Sequence, residues 1–371
     1  ASACNPTRKL KENEFLLTKN VVIDKNTTID KSEFQNYIKQ KPNRKVMGIF
    51  RFHLFINNLV DKDRVKFKKL KRDKKIDEEN VLRIKRGKKP KSKDFLTLRE
   101  GLLEIGEPPV ILDSFLINKS CKQIKLFLEN KGYFNNSVVD SVVLRRKKAK
   151  VYYKIETGKP YIIRDVYFDI SDPLLSYYVL ADTSNCLVRR GNNYDVDILE
   201  KEQNRITKEL RNNGYFNFTK DYVYYRIDSS LNSTQVDIVI RIKNFSVPMI
   251  GTDSILEVPH TRFYINSILI QTDYAPKSSN AVSDTTRLND YTFLSSGKSE
   301  YRPKVLADAV SFTVGELYQT KKAEATYKRL SELKAFKFIN ISFTPKLAYT
   351  DKLDCFIRLT PVLKQSFSVE T

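Results

Sequence analysis

Histidine is nearly absent from this chain. His53 and His260 are the only two, and neither neighbours a cysteine or carboxylate in the arrangement that metal binding or nucleophilic catalysis requires. The four cysteines, Cys4, Cys121, Cys186 and Cys355, are far apart and form no CxxC pair, which argues against a zinc site, a thioredoxin-like motif and a disulfide framework. The eleven glycines make no phosphate-cradling loop of the P-loop or dinucleotide type. No uninterrupted run of about 18 to 20 apolar residues occurs; the best stretch, Val46 to Val60, is broken by Arg51, His53, Asn57 and Asn58. Carboxylates that stand together, Glu78-Glu79 or Asp61 and Asp63, lie in a highly charged segment and read as solvated surface. No catalytic constellation remains, so the chain is read as a non-enzyme that carries no cofactor or metal.

What is plentiful is positive charge and aromatic carbon. A formal charge of +22 implies attraction to something anionic, and 22 Phe with 20 Tyr supply material for folded cores. A length of 371 residues suggests two or three domains. The charge is concentrated: residues 61–93 hold sixteen Lys or Arg against six Asp or Glu, with Lys68, Lys69, Lys71, Arg72, Arg83, Lys85, Arg86, Lys88 and Lys89 as the dense patch. Phe67, with Phe95 just beyond the segment, is its only aromatic, fewer than single-strand nucleic-acid binding usually interleaves. An anionic membrane surface or acidic partner suits the patch better than nucleic acid, and a solvated insertion is the plain alternative. The stretch Gly48 to Ile56 reads as a buried or an interfacial helix.

An internal repeat organises the rest. Leu128-Glu-Asn-Lys-Gly132-Tyr133-Phe134 recurs as Leu210-Arg-Asn-Asn-Gly214-Tyr215-Phe216, and more loosely as Leu330 to Phe336. Apolar periodicity predicts a helix before each copy, over Lys119–Asn130, Asp197–Asn212 and Lys321–Lys334. Asp197 with Glu200 suggests a capping box and Thr320 an N-cap, while Gly132 and Gly214 suit positions of positive φ. A strand pair follows each: Val138–Arg146 with Lys150–Ile155, Thr219–Ile227 with Gln235–Ile242, and Phe338–Thr344 with Leu353–Leu359. An opening strand is matched at identical offsets, Tyr161, Ile163, Val166 and Phe168 against Phe263, Ile265, Ile268 and Ile270. A further helix fits behind it, begun in the second unit by Ser171-Asp172-Pro173, and the order becomes β-α-α-β-β. The first unit is more modified, with a weak strand at Phe15–Asp24 and a helix at Ser32–Gln40.

This pattern resembles the POTRA domains of BamA-type and TamA-type outer-membrane assembly proteins over residues 14–363. Ala1-Ser2-Ala3-Cys4 is similar to a bacterial lipobox, though Ala1 stands where Leu is usual, and the closing stretch from Thr360 to Glu370 resembles the lead-in to a transmembrane barrel. Both ends fit the TamA-like lipoproteins (TamL) of Bacteroidota. The resemblance implies an α+β chain of three tandem POTRA-like β-α-α-β-β modules, each a three-stranded mixed sheet packed by two helices, with the Leu and Phe of each marker in the core. The expected divisions are a tether at 1–13 with Cys4 as lipid attachment site, module one at 14–157 with an insertion near 41–105, and module two at 158–246. A linker at 247–260, module three at 261–363 with a loop insertion at 273–302, and a barrel lead-in at 364–371 complete the chain.

The implied setting is the periplasm, attached to the outer membrane. The implied partners are unfolded outer-membrane proteins and periplasmic or inner-membrane assembly partners, a TamB-like protein among them. In the family the first strand of each closing hairpin is a sheet edge, open to strand addition. Pro345 guards that edge in the third unit and Arg145-Arg146-Lys147-Lys148 in the first, which leaves the second. There alternation turns Val223, Tyr225 and Ile227 to the helices, and Thr219, Tyr222, Tyr224 and Arg226 become the expected docking residues. The rival function is a soluble basic protein binding nucleic acid or an anionic polymer through residues 61–93.

Overall fold

The computed structural model describes residues 6–46, 48, 50–229, 233–248, 255–275, 284–297, 301–346 and 351–362. The chain divides into two compact units, Ala1–Tyr161 and Ile162–Thr371. In the first, β1 (Leu16–Asp24), β2 (Asn136–Arg145) and β3 (Lys148–Thr157) form a sheet of order β1-β3-β2. β1 runs parallel to β3, and β2 pairs with it antiparallel. Strict alternation makes β3 the hub: Ala149, Val151, Tyr153 and Ile155 are each 0% exposed, whereas Lys148, Lys150 and Lys154 lie on the other face. The buried face packs against α5 (Ser114–Asn130) through Ile124 and Leu128, and Phe34 and Ile38 join that core.

The first unit departs from expectation in its helices. α5 begins five residues early because the Asp113 carboxylate accepts from the Phe115 and Leu116 amides. The helix expected over Ser32–Gln40 shrinks to α1 (Lys31–Phe34). The insertion is itself helical: α2 (Phe52–Leu59), α3 (Lys62–Lys85) and α4 (Leu98–Ile105). α2 buries Leu54 and Ile56, so the apolar stretch forms a buried helix. α4 carries a full capping box between Thr97 and Glu100.

The second unit holds two more sheets. β4 (Ile162–Asp169), α6 (Pro173–Ala181), α7 (Val196–Asn212), β5 (Val223–Asp228) and β6 (Gln235–Ile242) follow the expected β-α-α-β-β order, with sheet order β4-β6-β5. Pro173 occupies the first turn of α6, capped by Asp172. The α7 cap is Asp195 rather than Asp197, whose amide it accepts, so the expected capping box does not form. The pair β7 (Phe245–Pro248) and β8 (Ile255–Val258) begins at the end of the expected second module and occupies part of the stretch read as a linker, 247–260.

Then come β9 (Tyr264–Gln271), β10 (Asp284–Leu288), β11 (Tyr291–Ser295), α8 (Pro303–Ala309), α9 (Thr320–Glu332), β12 (Phe336–Pro345) and β13 (Lys352–Pro361). The stretch expected to be a loop at 273–302 supplies the hairpin of β10 and β11. β11 pairs parallel with β9 and widens this sheet to five strands, β10-β11-β9-β13-β12, rather than three. Thr320 lies inside α9, and Gln319 takes the cap position without a side-chain bond.

The architecture is thus α+β in tandem modules, and the repeat runs deeper than its sequence marker. Each opening strand has an irregularity at the same place, at Thr18, Arg164 and Asn266, where one residue is skipped in the register with the central strand. Gly132 (φ 84), Gly214 (φ 98) and Lys334 (φ 52) all take the left-handed conformation that ends the second helix. Within the marker the buried residues are Leu128 and Leu210, both 0% exposed, with Tyr133 and Tyr215, and in the third copy Leu330 and Phe336, which lie in their module's core as expected. The phenylalanines of the first two copies were expected in their modules' cores and are not. Phe134 is 38% exposed, with its ring edge-on to Tyr161. Phe216, in the turn after α7, packs on Phe263 and Tyr318 of the next core.

Candidate functional site

β5 is the outer strand of its sheet, as expected, but it is shorter than the sequence suggested. Thr219 is exposed ahead of the strand, and Lys220–Tyr222 form one turn of 3₁₀ helix. Tyr222 packs with its ring 4.6 Å from His260 and 5.5 Å from Phe218, so it is a packing residue rather than part of a strand face. His260 is buried there, its ring nitrogen 2.9 Å from the Lys243 carbonyl, and burial pushes its pKa below the ordinary histidine value.

Within β5 the side chains alternate. Val223 is buried, and the Tyr225 hydroxyl donates to the Leu199 carbonyl of α7 at 2.7 Å. Ile227, expected against the helices, is 38% exposed because the strand has passed the end of that face. On the opposite face Tyr224 lies below two cations, Arg241 at 5.9 Å and Lys243 at 5.3 Å from its ring centre, and Arg226 is exposed.

Backbone direction matters more than side chains for an edge. The Lys243 amide donates to the Tyr222 carbonyl, and β5 pairs with β6 without a bulge. In an antiparallel ladder this makes Tyr222, Tyr224 and Arg226 the residues bonded inward to β6, and Val223, Tyr225 and Ile227 the ones whose N–H and C=O face outward. Val223 is already satisfied: its amide donates to the Lys220 carbonyl, and its carbonyl accepts from the Gln203 side chain of α7 at 2.7 Å. The open edge therefore consists of the outward groups of Tyr225 and Ile227. Side-chain alternation singles out Tyr224 instead, one residue out of phase for backbone pairing, and gives no sign of Gln203. Only the fixed ladder register reveals either.

The basic patch is split by structure. Arg72 donates to Glu100 at 2.8 Å and lies over the Phe95 ring at 4.7 Å. Hydrogen bonding from Arg72, seconded by the Thr97 amide, lowers the Glu100 carboxyl to about 2. Arg83 donates to the Lys89 carbonyl, so both arginines serve the fold of the insertion. Lys68, Lys69, Lys71, Lys85, Arg86, Lys88 and Lys89 are exposed.

Among the described residues no group of His, Cys, Asp and Glu could hold a metal ion, and no helix is long and apolar enough to cross a membrane. Burial raises the Cys121 and Cys186 thiols to about 11, well away from nucleophilic use. Cys4 and the stretch 364–371 lie outside the described residues.

No protein-family model matches the chain, and no curated protein matches it. Several solved structures are similar. The BamA POTRA3–5 segment of Haemophilus influenzae is 12% identical, with a TM-score of 0.41 over 95% of this chain and 99% of that one. POTRA1–3 of Omp85 from Anabaena is 8% identical, with a TM-score of 0.28 over 95% and 98%. BamA from Haemophilus ducreyi lacking POTRA domains 1–3 is 14% identical, with a TM-score of 0.36, and the likeness covers 54% of this chain and 30% of that one. These identities and scores are low.

Proposed function

We propose that this chain is the periplasmic POTRA region of an outer-membrane protein assembly or translocation factor. It docks extended segments of unfolded outer-membrane proteins, or of periplasmic or inner-membrane assembly partners such as a TamB-like protein, by strand addition. The tandem β-α-α-β-β architecture supports the reading, and one observation carries it: β5 ends its sheet with the outward backbone groups of Tyr225 and Ile227 open. Beside them Tyr224, steadied by two cations, and exposed Arg226 offer the residue types that most often supply binding energy. The lipid attachment at Cys4 and the barrel lead-in at 364–371 belong to the same proposal. Intact-mass analysis of membrane-extracted protein tests the first.

Ile227→Pro is the decisive variant, since it removes an outward donor and leaves the ladder to β6 intact. Binding of a fluorescent β-signal peptide, read by anisotropy, should weaken several-fold while circular dichroism is unchanged. Unchanged capture by the folded variant would sink strand addition at β5. Tyr224→Pro breaks the inward ladder and should instead destabilise the module.

The rival, nucleic-acid binding through residues 61–93, is weakened by the occupation of Phe95 by Arg72 and by the internal use of Arg72 and Arg83. Phe67 alone remains for stacking. Tight, steeply salt-dependent DNA or RNA binding lost on deleting 61–93 would favour the rival.

A further inference from the structure

The outer face of the first sheet, opposite α5, carries a cavity of about 750 Å³ whose charged lining is entirely cationic. Four of the cations come from the sheet: Lys19 of β1, Arg145 of β2, and Lys148 and Lys150 of β3. Arg146 projects from the hairpin turn, where it and Lys147 take positive φ of 47° and 57°. Lys45 and Arg51 belong to the segment before α2 that closes the other side. No Asp or Glu is among the lining residues, and among the described residues none of these cations is paired with a carboxylate.

The register forces several of these charges together. Arg145 stands directly opposite Lys148, and Lys19 is the parallel-ladder partner of Lys150. Like charges at such positions, with Cβ atoms about 5 Å apart, destabilise a sheet. The ordinary remedy, a carboxylate on the neighbouring strand, is missing. Arg51 is fixed at the cavity wall, where one terminal nitrogen donates to the Thr18 carbonyl. Seven cations around one space with no carboxylate among them are an arrangement that a bound anion would complete.

We propose that this cavity is a binding site for a compact ligand bearing two or more phosphate groups, whether a free oligophosphate or a diphosphorylated lipid headgroup. A single phosphate is too small to engage cations distributed around a space of this size, which lies within the roughly 300 to 1,000 Å³ range of small-molecule sites. Three planar guanidiniums suit the bidentate geometry of phosphate oxygens, and the four lysines supply point charge around them. The site belongs to the first unit and uses none of the β5 residues, so it stands or falls separately from strand addition.

The test uses the whole chain at physiological salt, with two probes. Calorimetry with inorganic pyrophosphate reads the free-phosphate arm, and co-sedimentation with phosphatidylcholine vesicles with and without cardiolipin reads the lipid arm. Binding of at least one probe is expected, with a raised melting temperature in its presence. The exposed double variant Arg145→Gln/Lys150→Gln should weaken that binding roughly tenfold with an unchanged circular dichroism spectrum. The helix control Lys74→Gln/Lys75→Gln, which removes the same charge from α3, should bind like the parent. Pyrophosphate binding alone identifies a free oligophosphate, and vesicle binding displaced by pyrophosphate identifies the headgroup. The proposal is overturned if neither probe binds, if the cavity variant binds as the parent does, or if both variants lose affinity equally, which would mean diffuse charge rather than a site.

Discussion

Gly214 offers the sharpest test of how the end of α7 is joined to the segments around β9. Its φ is +98°, and a Cβ there would lie 2.6 Å from Cδ1 and 3.0 Å from Cγ of Leu317. The backbone cannot easily yield on either side: the Gly214 carbonyl accepts from the Phe263 amide, and Leu317 is bridged to Tyr264. Gly214→Ala therefore carries two costs, about 1–2 kcal/mol for a left-handed alanine and about 1–3 kcal/mol for forcing the leucine aside. Gly315 provides the reference, because its φ is +84° with nothing within 4 Å of the added methyl group. Gly315→Ala should cost the first term alone. Equilibrium urea unfolding of the two variants should thus differ by about 1–3 kcal/mol. Adding Leu317→Ala to Gly214→Ala should recover most of that difference as a favourable coupling in a double-mutant cycle. If the two glycine variants are equally destabilised, or if Leu317→Ala brings no recovery, steric closure at this joint is the wrong account.

The buried marker residues should separate from the exposed one. Leu128→Ala should destabilise the first unit by about 2–5 kcal/mol, since Leu128 is 0% exposed, whereas Phe134→Ala, at 38% exposure, should fall clearly below it in the same denaturant titration. Acid should loosen α3 from α4. Arg72 and Thr97 hold the Glu100 carboxyl down to about 2 from an ordinary 4.5, so this contribution is present in full above pH 4.5 and is lost as pH falls towards 2. Glu100→Gln should flatten that part of a far-ultraviolet circular dichroism titration, and an unaltered acid profile would remove Glu100 as its source.

How much of this was legible in the sequence divides along physical lines. Alternation and helical period are local signals, so the β-α-α-β-β order, the positive-φ glycines and Pro173 at its helix start were all readable. The five-stranded sheet was not. β10 and β11 are short, polar strands in a Ser- and Asp-rich stretch, and β11 is held by parallel pairing with β9 that no local pattern encodes. Phe134 and Phe216 misled for a related reason, since a large aromatic next to a core motif looks like core until the next segment is seen to meet it. Along β5, the expected turn of Val223 and Tyr225 towards the helices was correct, but inward and outward backbone groups depend on ladder phase, and phase is set by pairing. The cationic cavity was invisible as a unit because Lys19, Arg51 and Lys150 are distant in sequence and are brought together by β1, β3 and the segment before α2.

The same recurrent geometry explains why the hairpin strand, and not the opening strand, is left as the edge. In every module the opening strand is bonded on its outer side by the segment that leads into the second helix: Leu17 to the Val110 carbonyl, Ile163 to that of Asn192, Ile265 to that of Glu316. Beyond the irregularity at Thr18 and at Arg164 the opening strand takes no further strand partner among the described residues, whereas in the third module β9 pairs with β11 beyond Asn266. A three-stranded sheet with its central strand saturated and one edge blocked has a single edge left, which is β5 in the second module. That edge is brief. A strand added beside Tyr225 and Ile227 would gain about four backbone hydrogen bonds, worth roughly 2–6 kcal/mol together. Association costs about 4 kcal/mol or more before any side chain contributes. Backbone pairing alone would leave such a complex near balance, so occupancy must be decided by contacts on the Tyr224 and Arg226 face, and release needs no further device.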